Sequence, residues 1–209
     1  AMVGPLAMDG LTGPMIIAVP NTTGLDAQSD RTIYWRFDVA GFVDAVDRVV
    51  AARGVRVDRA RVTLSAHSAS SCAERNGFFA GLASPAVHTL FDIDGCMTRR
   101  FGGMLGGAPA RQRVVVIYQT HMWPRDYHGF VREFRERAAA VTPPPDEPHH
   151  RVLERVEITG IDAHNQLVEG TLRRWLPRLI PPATAPEAPA PAPAPEAREA
   201  RATGSRPDG

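Results

Sequence analysis

The stretch Val62-Thr63-Leu64-Ser65-Ala66-His67-Ser68-Ala69-Ser70-Ser71 decides how this chain is read. A short β-rich apolar run ends in small residues, and helix-compatible sequence follows from Cys72. Strand, tight turn and helix in that order form a nucleophile elbow, with Ser68 at the tip of the turn. Such a turn crowds its neighbours, so the positions two before and two after the serine need small side chains. They are Ala66 and Ser70, where the usual pattern has glycine twice. The plainer reading of these residues is a buried strand running into a serine-capped helix.

On the upstream side, Asp38 is placed to cap a helix. Val39, Phe42, Val43, Val46, Val49 and Val50 recur there at helical spacing, ending before Gly54. Further back, Met15 to Pro20 is a continuous apolar run stopped by proline, the pattern of a buried parallel strand. Asn21 to Gly24 then reads as a loop with free backbone amides. Thr32 to Phe37 fits either a short strand or an aromatic surface loop.

Downstream, Ala73 to Leu82 reads as a helix, Val87 to Ile93 as a strand ending in Asp94-Gly95, and Arg113 to Gln119 as another buried strand. Arg99 to Arg111 is glycine-rich and irregular. Phe130 to Val141 is an amphipathic helix closed by prolines, Val152 to Ile161 a strand, and Leu167 to Ile180 a closing helix. Alternation of this kind predicts a doubly wound α/β fold, a mostly parallel sheet of about five or six strands with helices on both faces. Functional groups in such sheets collect at the carboxyl ends of strands, where Ser68, Asp94 and His164 fall.

Residues 1–180 form the expected domain. Residues 181–209, rich in Pro and Ala, have no aromatic and no aliphatic residue larger than alanine, and predict a disordered tail. Lys and Arg number 24 against 23 Asp and Glu, a net charge of +1 that points to neither nucleic acid nor an anionic surface. No run is long enough to span a membrane, and no signal peptide is visible, so the default compartment is cytoplasmic. Cys72 and Cys96 fall near the same end of the sheet, where a bridge is geometrically conceivable, but they read first as two ordinary buried thiols.

A serine nucleophile needs a base, and the base needs a carboxylate to fix its tautomer. Ser68, Asp94 and His164 supply these in the order Ser, acid, His. From about Met15 to Leu179 the chain resembles the α/β-hydrolase-fold serine hydrolases. The resemblance is carried by L-S-A-H-S-A-S-S (64–71), L-F-D-I-D-G (90–95) and I-D-A-H-N-Q-L-V (161–168). It is similar to compact bacterial members whose acid follows the strand directly after the nucleophile strand. Asp126 occupies the more usual loop, and Asp92 is a third choice.

The resemblance implies cleavage of an ester or amide through an acyl-enzyme, with a small-molecule or peptide-like acyl substrate and no cofactor or metal. It further implies an oxyanion hole from the amides of Ala69 and of Asn21 or Thr22, although no H-G-G-G-type loop is present. Met122, Trp123 and Tyr127 cluster where a substrate pocket would lie, or else cover the sheet edge. His67 reads as packed inside. His121, His128, His149 and His150 lack metal-ligand spacing, and His149-His150 reads as solvent-exposed. A catalytically silent binding module, or an acyl or peptidyl transferase using the same site, are the alternatives.

Overall fold

The structure, a computed structural model, describes residues 12–20, 37–72, 77–121, 127–147, 150–160 and 162–182. It is an α/β fold around four parallel strands: β1 (Thr63–His67), β2 (Thr89–Ile93), β3 (Arg113–Tyr118) and β4 (Arg151–Arg155). They lie in the order β1-β2-β3-β4, with Ala66 opposite Asp92, Asp92 opposite Val116 and Val116 opposite Leu153. Helices are α1 (Val39–Ala51), α2 (Ala80–Ala83), α3 (Arg99–Gly106), α4 (Tyr127–Ala138) and α5 (Ala163–Leu179).

Strand side chains alternate between two apolar layers, as a period of two requires. Leu90, Val114, Val116 and Tyr118 pack with Val39, Phe101, Leu105, Phe130 and Phe134 on one face. Phe91, Ile93, Val115 and Ile117 pack with Leu167 and Trp175 of α5 on the other. The connections between strands therefore share one face, and the helix after β4 covers the opposite one. This differs from the doubly wound expectation. The described strands step in a single direction, and crossovers of one hand then fall on one side of a sheet.

Met15–Pro20 is not a strand. The segment is irregular, with Ile16, Ile17 and Val19 exposed by 41%, 59% and 79%. Apolar β-branched sequence supplies what a strand needs, but pairing also needs an edge and a covered face. Here the chain is anchored instead through Gly13, whose N–H donates to the Ile180 carbonyl (2.9 Å). The expected strand Val152–Ile161 is likewise short: β3 ends at Tyr118, and the Val156 N–H to the Tyr118 carbonyl (2.8 Å) closes the ladder. Four strands are present among the described residues, against the five or six expected. The helix expected over Ala73–Leu82 is represented by a 3-10 turn at Gly77–Phe79 followed by α2, residues 73–76 lying outside the described residues. Residues 183–209 of the expected tail lie outside them too.

The glycine-rich segment is a helix after all. Thr98 caps α3 by accepting from the Phe101 N–H (3.3 Å). Gly102 and Gly106, one turn apart, lie against the α4 backbone, and a Cβ on either would collide with the carbonyl of Phe130 or Phe134. Glycine lowers helix propensity, but here it permits a close helix–helix approach that a side chain would block.

His150 is buried rather than exposed; its Nε2–H donates to the Ala110 carbonyl (2.7 Å). Beside it, Arg151 donates to the carbonyls of Gly106, Ala108 and Gln112, and burial pushes its guanidinium down to about 10. Gln112 donates to the Gly81 and Val87 carbonyls (2.7 and 3.1 Å). These side chains satisfy loop carbonyls at the amino-terminal end of the sheet.

Gly106→Ala is expected to cost about 1–3 kcal/mol through overpacking against α4. Gly103→Ala, whose Cβ meets only the distant Glu133 side chain, should be neutral or stabilising by up to about 1 kcal/mol. Urea denaturation of the two variants checks the contrast.

Candidate active site

Ser68 follows the last residue of β1 and opens a 3-10 turn, Ser68–Ser71, with φ at 59°. A left-handed serine is uncommon and must be held by its surroundings. The Ser70 hydroxyl donates to the His67 carbonyl (2.7 Å) and accepts from the His67 N–H (3.0 Å). The Ser71 hydroxyl donates to the Ser68 carbonyl (3.0 Å). Serine at position 70 thus does what a glycine would not, by tying the turn to the strand it leaves.

Asp94 is the first residue beyond β2 and is also left-handed, with φ at 49°. Its backbone N–H donates to the Ile117 carbonyl (2.8 Å), which fixes it against β3. Its fully buried carboxyl accepts from His164 Nδ1 (2.6 Å) and from Gln119 Nε2 (2.8 Å). Gln119 was not singled out by sequence. The signal was there: an amide ending the apolar run of β3, at the end of the sheet where Asp94 lies.

His164 is the second residue of α5, not a loop residue. The neighbour of Ser68, His67, stacks on its ring at 4.3 Å between centroids, and His67 Nε2 bonds the His164 carbonyl (3.3 Å). The α5 start is thereby held to the end of β1. Burial, and secondarily the adjacent His164, lower the His67 pKa, so His67 packs as a neutral ring.

Cys72 and Cys96 are joined in a disulfide with Cα atoms 5.1 Å apart, rather than standing as separate thiols. The turn after β1 ends beside the loop after Asp94, which decides between the bridge and the separate thiols that the sequence left open. The bridge therefore ties the Ser68 turn to the Asp94 loop. Asp92, inside β2, is wholly buried, with Oδ1 lacking a hydrogen-bond partner among the described residues. Burial raises its carboxyl to about 7; a hydrogen bond to Ser71 opposes the rise and repulsion from Asp94 adds to it.

Of the other expected site residues, Tyr127 begins α4 and packs near the Tyr118 ring (6.4 Å). Ala69 lies within the 3-10 turn. Asn21, Thr22, Met122, Trp123 and the alternative acid Asp126 lie outside the described residues. No group of three or more His, Cys, Asp or Glu among the described residues is arranged to hold a metal ion. No described helix is long and apolar enough to cross a membrane. No protein-family model, curated protein or solved structure matches this chain.

Two stability predictions follow from these contacts. Asp92 has a raised pKa in the folded chain, so that chain keeps a proton the unfolded chain releases between about pH 4 and pH 7. Wild-type stability therefore falls as pH rises through this window. Asp92→Asn, which cannot ionise, should gain on wild type by on the order of 4 kcal/mol between pH 4 and pH 8, measured by denaturant titration at each pH. Replacing both cysteines by serine opens a crosslink between residues 24 apart in sequence. This should cost about 3 kcal/mol, and reductant should then have no further effect on the melting temperature.

Proposed function

We propose that this protein is a serine hydrolase of the α/β-hydrolase type, cleaving an ester or amide through an acyl-enzyme. The observation that carries the reading is the left-handed Ser68 at the end of β1, whose neighbour His67 stacks on His164, a histidine with its Nδ1 held by the buried Asp94 carboxyl. The constellation resembles a nucleophile, a base and an orienting acid on successive strand ends and the following helix.

In this reading Ser68 Oγ attacks the substrate carbonyl while His164 Nε2 takes its proton. With Nδ1 turned to Asp94, the ring carries its proton there and offers Nε2 as the base. His164 then returns the proton to the leaving group, and water enters by the reverse route. Asp94, itself held by Gln119, fixes the ring and stabilises the imidazolium that forms. The Ala69 N–H, with that of Asn21 or Thr22, receives the oxyanion. Every step is assigned to a side chain or amide of this chain, with no cofactor, and the substrate is an acyl compound, small or peptide-like. The Cys72–Cys96 bridge favours an oxidising compartment over the cytoplasm.

A fluorophosphonate probe tests the reading. Wild-type protein should be labelled at Ser68, and Ser68→Ala should abolish labelling. His164→Ala and Asp94→Asn should slow it by about 10³-fold or more, whereas Asp126→Asn should have little effect. An unlabelled but folded wild type would replace hydrolysis by a binding role. Products formed with competing alcohols or amines would separate transfer from hydrolysis.

A further inference from the structure

We propose that His67 is a positioning residue for the base: its ring lies on the face of His164 and sets the ring plane that the Asp94 hydrogen bond leaves free. The proposal rests on the reading of Ser68 as the nucleophile and His164 as its base.

A histidine side chain ends in a torsion with broad, roughly two-fold preferences, so neighbours rather than the rotamer decide its ring plane. Asp94 accepts from His164 Nδ1 (2.6 Å), which is one contact at the edge of the ring. A ring held at one nitrogen can still turn about that contact and carry Nε2 away from the serine. The His67 ring supplies the second contact, inclined by only 26° to His164 with the centroids 4.3 Å apart. Edge and face are then held by different residues, which leaves the ring one orientation.

Both supports come from consecutive strand ends. His67 closes β1 and stands in register with Ile93, the last residue of β2. The residues that follow them are Ser68 and Asp94, both left-handed. The nucleophile therefore follows the residue that braces the base, and the acid follows that residue's partner in the ladder. Pairing of β1 with β2 sets all three groups against His164 at once.

Proton counting fixes the state of the brace. The His164 carbonyl can only accept, so His67 Nε2 (3.3 Å) carries the hydrogen, and a neutral ring then leaves its Nδ1 bare. In His164 the hydrogen sits on Nδ1, toward Asp94. The two stacked rings are thus opposite tautomers. A neutral brace suits the chemistry, because His164 becomes positive during the reaction and a second charge 4.3 Å away would oppose it. Burial, and secondarily the adjacent His164, hold the His67 pKa down; the hydrogen bond to the His164 carbonyl and the Asp94 carboxylate act in the opposite direction.

The test compares fluorophosphonate labelling rates of wild type, His67→Ala, His67→Gln and His67→Phe, with folding checked by urea denaturation. The hydrogen bonds between Ser70 and His67 engage only the His67 backbone, so the variants keep the ties of the turn. His67→Ala should lower the limiting rate at saturating probe roughly tenfold or more, with the half-saturating probe concentration unchanged. His67→Gln, with a donor but no ring, should be as slow, whereas His67→Phe, with a ring but no donor, should recover most of the rate. Should His67→Ala fail to fold, the contrast of His67→Gln with His67→Phe carries the test. At about pH 8, above the ordinary histidine pKa, nitrogen NMR should find the His67 hydrogen on Nε2 and the His164 hydrogen on Nδ1. The signals are assigned by their loss in His67→Phe and His164→Ala.

A labelled wild type with His67→Ala or His67→Gln at the wild-type limiting rate overturns the positioning role and leaves the hydrolase reading standing. So does a folded His67→Phe variant as slow as His67→Gln, or a His67 ring with its hydrogen on Nδ1. A folded wild type that is not labelled at Ser68 overturns both.

Discussion

The structure depends on the complete burial of its two central strands. Every side chain of β2 is enclosed, and β3 is open only at Arg113. With both faces covered by apolar layers, polar chemistry can be placed only where these strands end. The two ends are used differently. At the amino-terminal end, Gln112, His150 and Arg151 donate to loop carbonyls and leave the backbone in ordinary conformations. At the carboxyl end the polar groups sit on left-handed backbone, at Ser68 and Asp94.

Two left-handed residues at neighbouring strand ends cost on the order of 1–3 kcal/mol each unless the surroundings over-determine them. The surroundings do so from several sides. Ser70 and Ser71 tie the turn to the strand it leaves and to itself, and β3 holds the Asp94 amide. The disulfide joins the two segments covalently. Strain held this way fixes the side-chain direction of Ser68 and Asp94, as the proposed roles of nucleophile and acid would require.

The two carboxyls of β2 and its end show how environment divides one residue type into two roles. Asp94 meets donors from Gln119 and His164, which suit a charged oxygen pair. Asp92, two residues earlier, is enclosed between Ala66 and Val116 on the neighbouring strands, and burial pushes its carboxyl up to about 7. The same spacing that puts both on one strand puts one in a polar socket and the other in the core.

Much of this was legible in the sequence. The apolar runs at 89–93 and 113–118 required buried strands, and the small residues around Ser68 required a tight turn. Asp94 and His164, each just past an expected strand, were recognisable as partners because parallel strands deliver their ends to one side. What the chain could not disclose was pairing across space. Met15–Pro20 has strand sequence but no place in the described sheet, and Arg99–Gly106 has poor helix sequence but a helix partner that demands glycine. The disulfide and the Gln119 support join residues whose closeness arises only when the strands align. Local sequence sets propensity and periodicity, which act within a few residues. Registration of distant segments is set by burial of the whole, and only the tertiary structure decides it.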